Sequence, residues 1–226
     1  MSMYIKNYNS SKVGSVNLSS FLKQTYQLLA ASVLAASAGT YVGLGMLSIL
    51  MGPVRWVLFG VELALIFFII PMVKNIPGIN LITLFVFTFI TGLTVAPLLG
   101  SVLSMANGAM IVGQALLMTG FAFGAISMFA MTTKKDFTSI GRILLISLVV
   151  FIVAAISNIF IQSSMLQLAI ASVGVILFSV LILYNTQNII KNAYDTPIEA
   201  ALSLYLSVLN LFVSILQLLG FAKSED

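Results

Sequence analysis

Seven runs of apolar residues follow one another along the chain, at 25–50, 54–73, 79–99, 108–131, 142–161, 165–190 and 200–222. Each is close to the ~20 residues that a helix needs to cross ~30 Å of hydrocarbon. Clusters of turn-forming and charged residues separate them: Gly52-Pro53, Pro77-Gly78, Asn107-Gly108, "TTKKDFTSIGR", "IQSSM" and "KNAYDTPIE". The runs are continuous rather than alternating, which predicts membrane-spanning α-helices and not the short strands of a barrel. Pro71, in "IPM", is expected to end or kink the second helix. Ahead of the first run, Met1 to Gln24 is polar and rich in Ser and Asn, the composition of a water-side tail that is at most loosely helical near Ser19 to Gln24. The expected organisation is a cytoplasmic tail over 1–24, one seven-helix transmembrane domain over 25–222 and a short periplasmic tail over 223–226.

Inside the runs the polar positions are not random. In "SLYLSVLNLFVSILQLLG" the residues Ser203, Ser207, Asn210, Ser214 and Gln217 are spaced by four, three, four and three. On a helix this spacing draws one polar stripe along an apolar rod. Such a stripe loses partners for its side chains if it faces lipid, so it is expected to point inward, either as packing glue or as the lining of a hydrated path. The sixth run is the natural facing helix, with Ser172, Ser179 and Thr186 seven apart and the polar run "YNTQN" at its end. Glu62, in "LFGVELALIFF", is the one acid placed well inside a span. An intramembrane acid is a functional candidate by default, and a structural pair with Arg55, seven residues back on the same face, is the competing expectation. Small residues at four-residue spacing (Ala31, Ala35, Gly39 and Gly43, then Gly120 and Gly124) predict close helix packing.

Composition sharpens this picture. The 226 residues are 60% hydrophobic and only 7% charged, against about 25% charged in a soluble domain, so the chain is an integral membrane protein. Its ten Lys and Arg are scattered rather than patched, which argues against nucleic acid as a partner. With the N-terminus inside, Lys6, Lys12, Lys23, Lys74, Lys134, Lys135, Arg142 and Lys191 fall on the inner side, and only Arg55 and Lys223 on the outer. Eight against two predicts a cytoplasmic N-terminus and a periplasmic C-terminus. "LLAASVLAASAG" has the small-residue look of a signal peptide cleaved after Ala38, but the long polar region before it and the apolar continuation through "TYVGLGMLSIL" favour a retained first helix.

The chain has no Cys and no His. That removes disulfides, thiolate chemistry, Cys/His zinc sites and every triad that uses imidazole as base. The three Asp (Asp136, Asp195 and Asp226) lie in loops or the tail, so an intramembrane aspartyl protease is not expected either. No enzyme, cofactor or resident metal is predicted; the bilayer itself is the first partner.

Four stretches, in order, resemble the signatures of the Bax inhibitor-1 family: "TGLTVAPLL" (Thr91 to Leu99), "MTTKKDFTSIG" (Met131 to Gly141), "LYNTQNI" (Leu183 to Ile189) and "LYLSVLNLFVSILQLLG" (Leu204 to Gly220). The resemblance covers roughly residues 20–222 and implies a bundle whose last helix is central, ringed by the other six. It also implies that Asn185 and Ser207 stand where the family's calcium-leak members carry two aspartates. Two close carboxylates share a proton and form a pH-sensitive latch; an amide and a hydroxyl cannot titrate near neutral pH. Ser207 together with the ending "LGFAKSED" is similar to the bacterial YccA-like branch, which implies a non-enzymatic inner-membrane modulator of the ATP-dependent membrane protease FtsH. A Bax inhibitor-1-type calcium or cation leak is the alternative, disfavoured by the two replaced acids.

Overall fold

Water is absent from the hydrocarbon, so a spanning segment must satisfy its own backbone, and a helix does so within itself. In a computed structural model, which describes the backbone of residues 2–224 and the side chains of residues 18–222, every expected span is helical. The elements are α1 (Ser2–Leu44), the short α2 (Leu47–Leu50), α3 (Val54–Ala64), α4 (Ile70–Val73), α5 (Ile79–Leu103), α6 (Gly108–Thr132), α7 (Gly141–Ile161), α8 (Ser164–Ile190) and α9 (Pro197–Ser224). Seven helical segments are long and apolar enough to cross a bilayer, and no strand occurs among the described residues. The first begins earlier than its apolar run and stops at Leu44, because a turn at Gly45 and Met46 separates it from α2. The expectation that 1–24 is at most loosely helical is not met: the backbone is helical from Ser2 and continues unbroken into the first span. The side chains of 1–17 and 223–226 lie outside the described residues.

Pro71 neither ends the second span nor breaks it. A π-helical turn over Leu65–Ile69 joins α3 to α4, and the Ile70 N–H reaches back to the Leu65 carbonyl. The wider turn absorbs the ring and the missing N–H of the proline, so the helix runs on to Val73.

The most intimate pair is α1 with α5. A Cβ added at Gly39 would land on the Phe89 carbonyl, one at Gly92 on the Ala36 carbonyl, and one at Gly43 on the Ala96 methyl. Thr40 Oγ1 takes advantage of this approach and donates to the Gly92 carbonyl at 3.0 Å. The groove expected from Ala31, Ala35, Gly39 and Gly43 is therefore formed by its last two members. Strict four-residue spacing drifts by about 40° per step on a helix of 3.6 residues per turn, which carries Ala31 and Ala35 to the side, half-buried, while Thr25, Leu29, Ser32 and Ala36 take the contact. The expectation for Gly120 and Gly124 is not met. Nothing stands within 4 Å of a Cβ at either, and the packing face of α6 runs instead through Ile111, Ala115, Thr119, Ser127 and Ala130.

Helices α8 and α9 form the second tight pair, with Phe178 and Ile182 packed among Leu211, Ile215 and Leu216. Phe151 of α7 meets Phe178 edge-on, with ring centroids 5.1 Å apart. The resemblance implied a last helix ringed by six others. The backbone neighbours of α9 are four, α1, α5, α6 and α8, because α7 packs on α8 and α3 on α5.

The two glycine environments make a stability test. Gly39→Leu should lower the thermal midpoint in detergent micelles by the equivalent of about 1–3 kcal/mol, the usual cost of overpacking. Gly124→Leu should be neutral or stabilising, since its side chain enters open space.

Candidate functional site

The junction of α8 and α9 holds a compact polar cluster. The start of α9 is fixed locally: Pro197 occupies its first turn, and Thr196 Oγ1 accepts the Glu199 N–H at 3.2 Å, half of a capping box. This sets Ser203 and Ser207 against α8. Asn185 Nδ2 donates to Ser207 Oγ at 3.0 Å and to the Ser203 carbonyl at 3.1 Å, while its Oδ1 accepts from Tyr194 Oη at 2.9 Å. Asn185 and Ser207 are buried, with relative exposures of 6% and 3%. Burial pushes the Tyr194 phenol above its usual value, so it remains a donor at neutral pH. All members of the cluster are satisfied without ionising.

Of the rest of the stripe, Ser214 is buried, while Ser203, Asn210 and Gln217 are half-buried. The stripe does not act chiefly through interhelical hydrogen bonds. Ser207, Asn210 and Ser214 donate to the carbonyls of Ser203, Leu206 and Asn210 on their own helix. Where Ser214 faces α8 the partner is Gly174, whose missing side chain makes room for the hydroxyl. The polar series expected to face the stripe does not. Ser172 is exposed and bonds Leu168, and buried Thr186 bonds its own Ile182 carbonyl, while Asn185 is the residue that crosses. A helix repeat of 3.6 rotates residues seven apart only slightly, so Ser172, Ser179 and Thr186 share a face that is not the one turned to α9.

Glu62 is half-buried and bonded, but not to Arg55. Thr94 Oγ1 of α5 donates to Glu62 Oε1 at 2.7 Å, and the Arg55 guanidinium instead lies 4.8 Å from the centre of the adjacent Trp56 ring. Arg55 sits at the exposed start of α3, where its charge stays near water. From Glu62 the contacts continue inward. Thr94 bonds the Thr91 carbonyl at 2.9 Å, and Thr91 Oγ1 shares a hydrogen bond with Tyr205 Oη of α9. A polar thread thus links the second, third and last spans. The sequence signal for it was present in the Thr-rich motif "TGLT", but Tyr205 looks like one more core aromatic until its hydroxyl is placed.

Three loops meet at one end of the bundle. Lys74, after α4, pairs with Asp195 before α9 at 3.0 Å, and Lys191, after α8, pairs with Asp136 between α6 and α7. Gln187 ties the same α6–α7 loop down, donating to the Lys135 carbonyl at 2.8 Å and accepting the Phe137 N–H at 2.7 Å. The Lys191 ammonium and the Thr138 hydroxyl beside Asp136 hold its carboxyl down at about 2, and the Asp195 carboxylate beside Lys74 raises that ammonium above its usual range. Among the described residues no group of His, Cys, Asp and Glu is arranged to hold a metal ion.

These features define a multi-pass helical membrane protein with a non-titrating polar contact between its last two helices. The chain belongs to the Bax inhibitor-1 family: the profile described as "Inhibitor of apoptosis-promoting Bax1" matches residues 18–224. A Campylobacter jejuni protein is 50% identical over 100% of both chains, and a Helicobacter pylori protein 44% identical over 92% of this chain and 90% of its own. The Escherichia coli K12 protein named "Modulator of FtsH protease YccA" is 34% identical over 90% of this chain and 91% of its own. None of these names states an enzymatic activity. With seven apolar helices and relatives named as membrane and inner-membrane proteins, the chain is a multi-pass inner-membrane protein.

Two measurements check the geometry. A double-mutant cycle of Asn185→Ala and Ser207→Ala should return a coupling of about 0.6–1.7 kcal/mol, the range for hydrogen bonds between membrane helices. The loop pairs should ignore physiological pH. Asp136 is depressed from 3.8 to about 2, so its contribution is complete above the unfolded value and lost only as pH falls through the folded one. Lys74 is raised from 10.5, so its contribution is complete below that value and lost as pH rises through the folded one. A fluorophore on Ser139→Cys should therefore report a constant environment from pH 5 to 9, and a more mobile one after Lys191→Ala.

Proposed function

We propose that the chain is a non-enzymatic modulator of the membrane protease FtsH. In this reading the N-terminus and the three paired loops face the cytoplasm, the C-terminus faces the periplasm, and α9 is the core of one transmembrane domain between two short tails. The positive-inside excess supports the orientation, and the Escherichia coli relative's name supports the partner. The observation that carries the proposal is the bond between Asn185 and Ser207, at the positions that the resemblance matches to two aspartates. A latch that opens when a shared proton leaves has no proton to lose here. What is left is a body pinned shut, by the seam and by the loop pairs, at the end where a cytoplasmic unfolding machine would pull. A protease that grips the tail at 1–24 meets a bundle that resists extraction, and while engaged it degrades other substrates more slowly.

A second reading, a cation leak, is favoured by the thread from Glu62 through Thr94 and Thr91 to Tyr205. Against it, cation pathways are lined by rings of acids or carbonyls, and this thread has one acid.

The two readings separate experimentally. Deleting Met1 to Lys23 should at least halve the chain's own turnover by FtsH and relieve its slowing of a competing substrate; unchanged rates for both would refute the modulator. In liposomes loaded with a calcium dye the parent should give flat traces at pH 6 and 8, whereas a pH-dependent flux abolished by Glu62→Gln would establish the leak. Asn185→Asp with Ser207→Asp should create a pH-dependent change that the parent lacks, since the two side chains already stand within hydrogen-bond reach.

A further inference from the structure

Helices α1 and α6 have no backbone contact with each other, although both pack on α9. Between them lies a cleft of about 390 Å³ with α9 and α5 as its floor. It occupies the half of the bundle away from the paired loops, along the later turns of α1 and the earlier turns of α6. Val33, Leu44, Val112, Leu116, Leu209 and Phe212 are among its walls. Gly120 widens the side formed by α6: it lines the cleft, and a Cβ there would meet nothing within 4 Å. Tyr41 stands at the mouth, 80% exposed, in the position of an interfacial anchor.

The hydroxyls inside the cleft have no proton left to donate to a guest. Ser37 bonds the Val33 carbonyl, Thr40 the carbonyls of Ala36 and Gly92, and Thr119 that of Ala115, while Tyr205 is bonded to Thr91. With those donors spent and Val, Leu and Phe side chains over most of the remaining wall, the cleft favours hydrocarbon. Size then selects among apolar occupants. A cavity of about 150 Å³ takes a six-carbon benzene, which scales to roughly fifteen carbons here, the length of one lipid tail. The cleft is open on one side, so the lipid tails around the bundle can reach it.

We propose that the cleft between α1 and α6 is a binding site for a single phospholipid acyl chain, whose head group sits near Tyr41 in the leaflet on the side of the α5–α6 turn. The site is independent of the protease reading, and a lipid held there would wedge α1 and α6 apart over Tyr205.

The test uses the full chain in phosphatidylcholine vesicles whose tails carry bromine near mid-chain. Trp56→Phe removes the only tryptophan, and Phe212→Trp places a new one in the cleft wall. Its emission should be quenched by the brominated tails. Gly120→Phe, which fills the cleft from the side of α6, should cut that quenching at least twofold, while Gly124→Phe, one turn further along and outside the cleft, should leave it unchanged. Val112→Phe fills the same space from another turn and serves if Gly120→Phe does not fold. Quenching that is absent in the reporter protein, or equal in the filled and control variants, overturns the proposal. Efficient disulfide crosslinking of Gly120→Cys in this otherwise cysteine-free chain also overturns it, because a second copy would then cover the cleft.

Discussion

A polar atom inside hydrocarbon needs a partner within the protein. The contact between α8 and α9 meets that need in full, whereas the buried hydroxyls of Thr25 and Ser32 on α1 have no partner among the described residues. The consequence of that need is clearest at Asn185, whose amide is satisfied on both ends by Ser207, Ser203 and Tyr194. The contact fixes the register of α8 against α9, and through α9 it fixes the floor on which α1, α5 and α6 pack. The same requirement explains the back-bonded serines of the stripe, the π turn before Pro71 and the thread from Glu62 to Tyr205. Each of these groups finds its partner within the protein.

Asn185 and Ser207 join α8 to α9 through two side chains of little bulk, neither of which titrates. An amide donates where a carboxylate would repel its neighbour, and a hydroxyl accepts without needing a counter-ion. Closure is reinforced where the charges lie, in three loops tied by two ion pairs and by Gln187. Those pairs are exposed and individually weak, yet they join segments far apart in sequence at one end of the bundle. In the proposed modulator reading, a chain closed at that end, whose polar N-terminal stretch is continuous with the first span, suits a protein that is pulled on rather than one that opens.

Much of this was legible in the residues. The apolar runs located all seven spans, because length and continuity are imposed by the bilayer and not by tertiary contacts. The stripe marked two buried positions of α9, Ser207 and Ser214, while its other three members are half-buried and apolar residues such as Leu204 and Leu211 are buried more deeply. Other features were not legible, for definite reasons. Gly120 and Gly124 carry the same spacing as a packing groove, but the face that packs is chosen by larger neighbours such as Ile111. Arg55 and Glu62 share a helix face, yet the acid finds Thr94 across the interface, a choice that spacing within one helix cannot reveal. Residue pattern pointed to the sixth run as the facing helix, through Ser172, Ser179, Thr186 and the terminal "YNTQN"; that Asn185 within that run meets Ser207 was suggested by the family resemblance.

The central claim, that the α8–α9 contact is permanent because nothing in it ionises, is tested most directly by amide hydrogen exchange. Exchange at residues 182–190 and 200–210, followed from pH 6 to pH 8 and corrected for the intrinsic pH dependence of amide chemistry, should show unchanged protection. A loss of protection across that interval, in the parent chain and at these amides, would mean that the seam opens on a titration, and the account would be wrong.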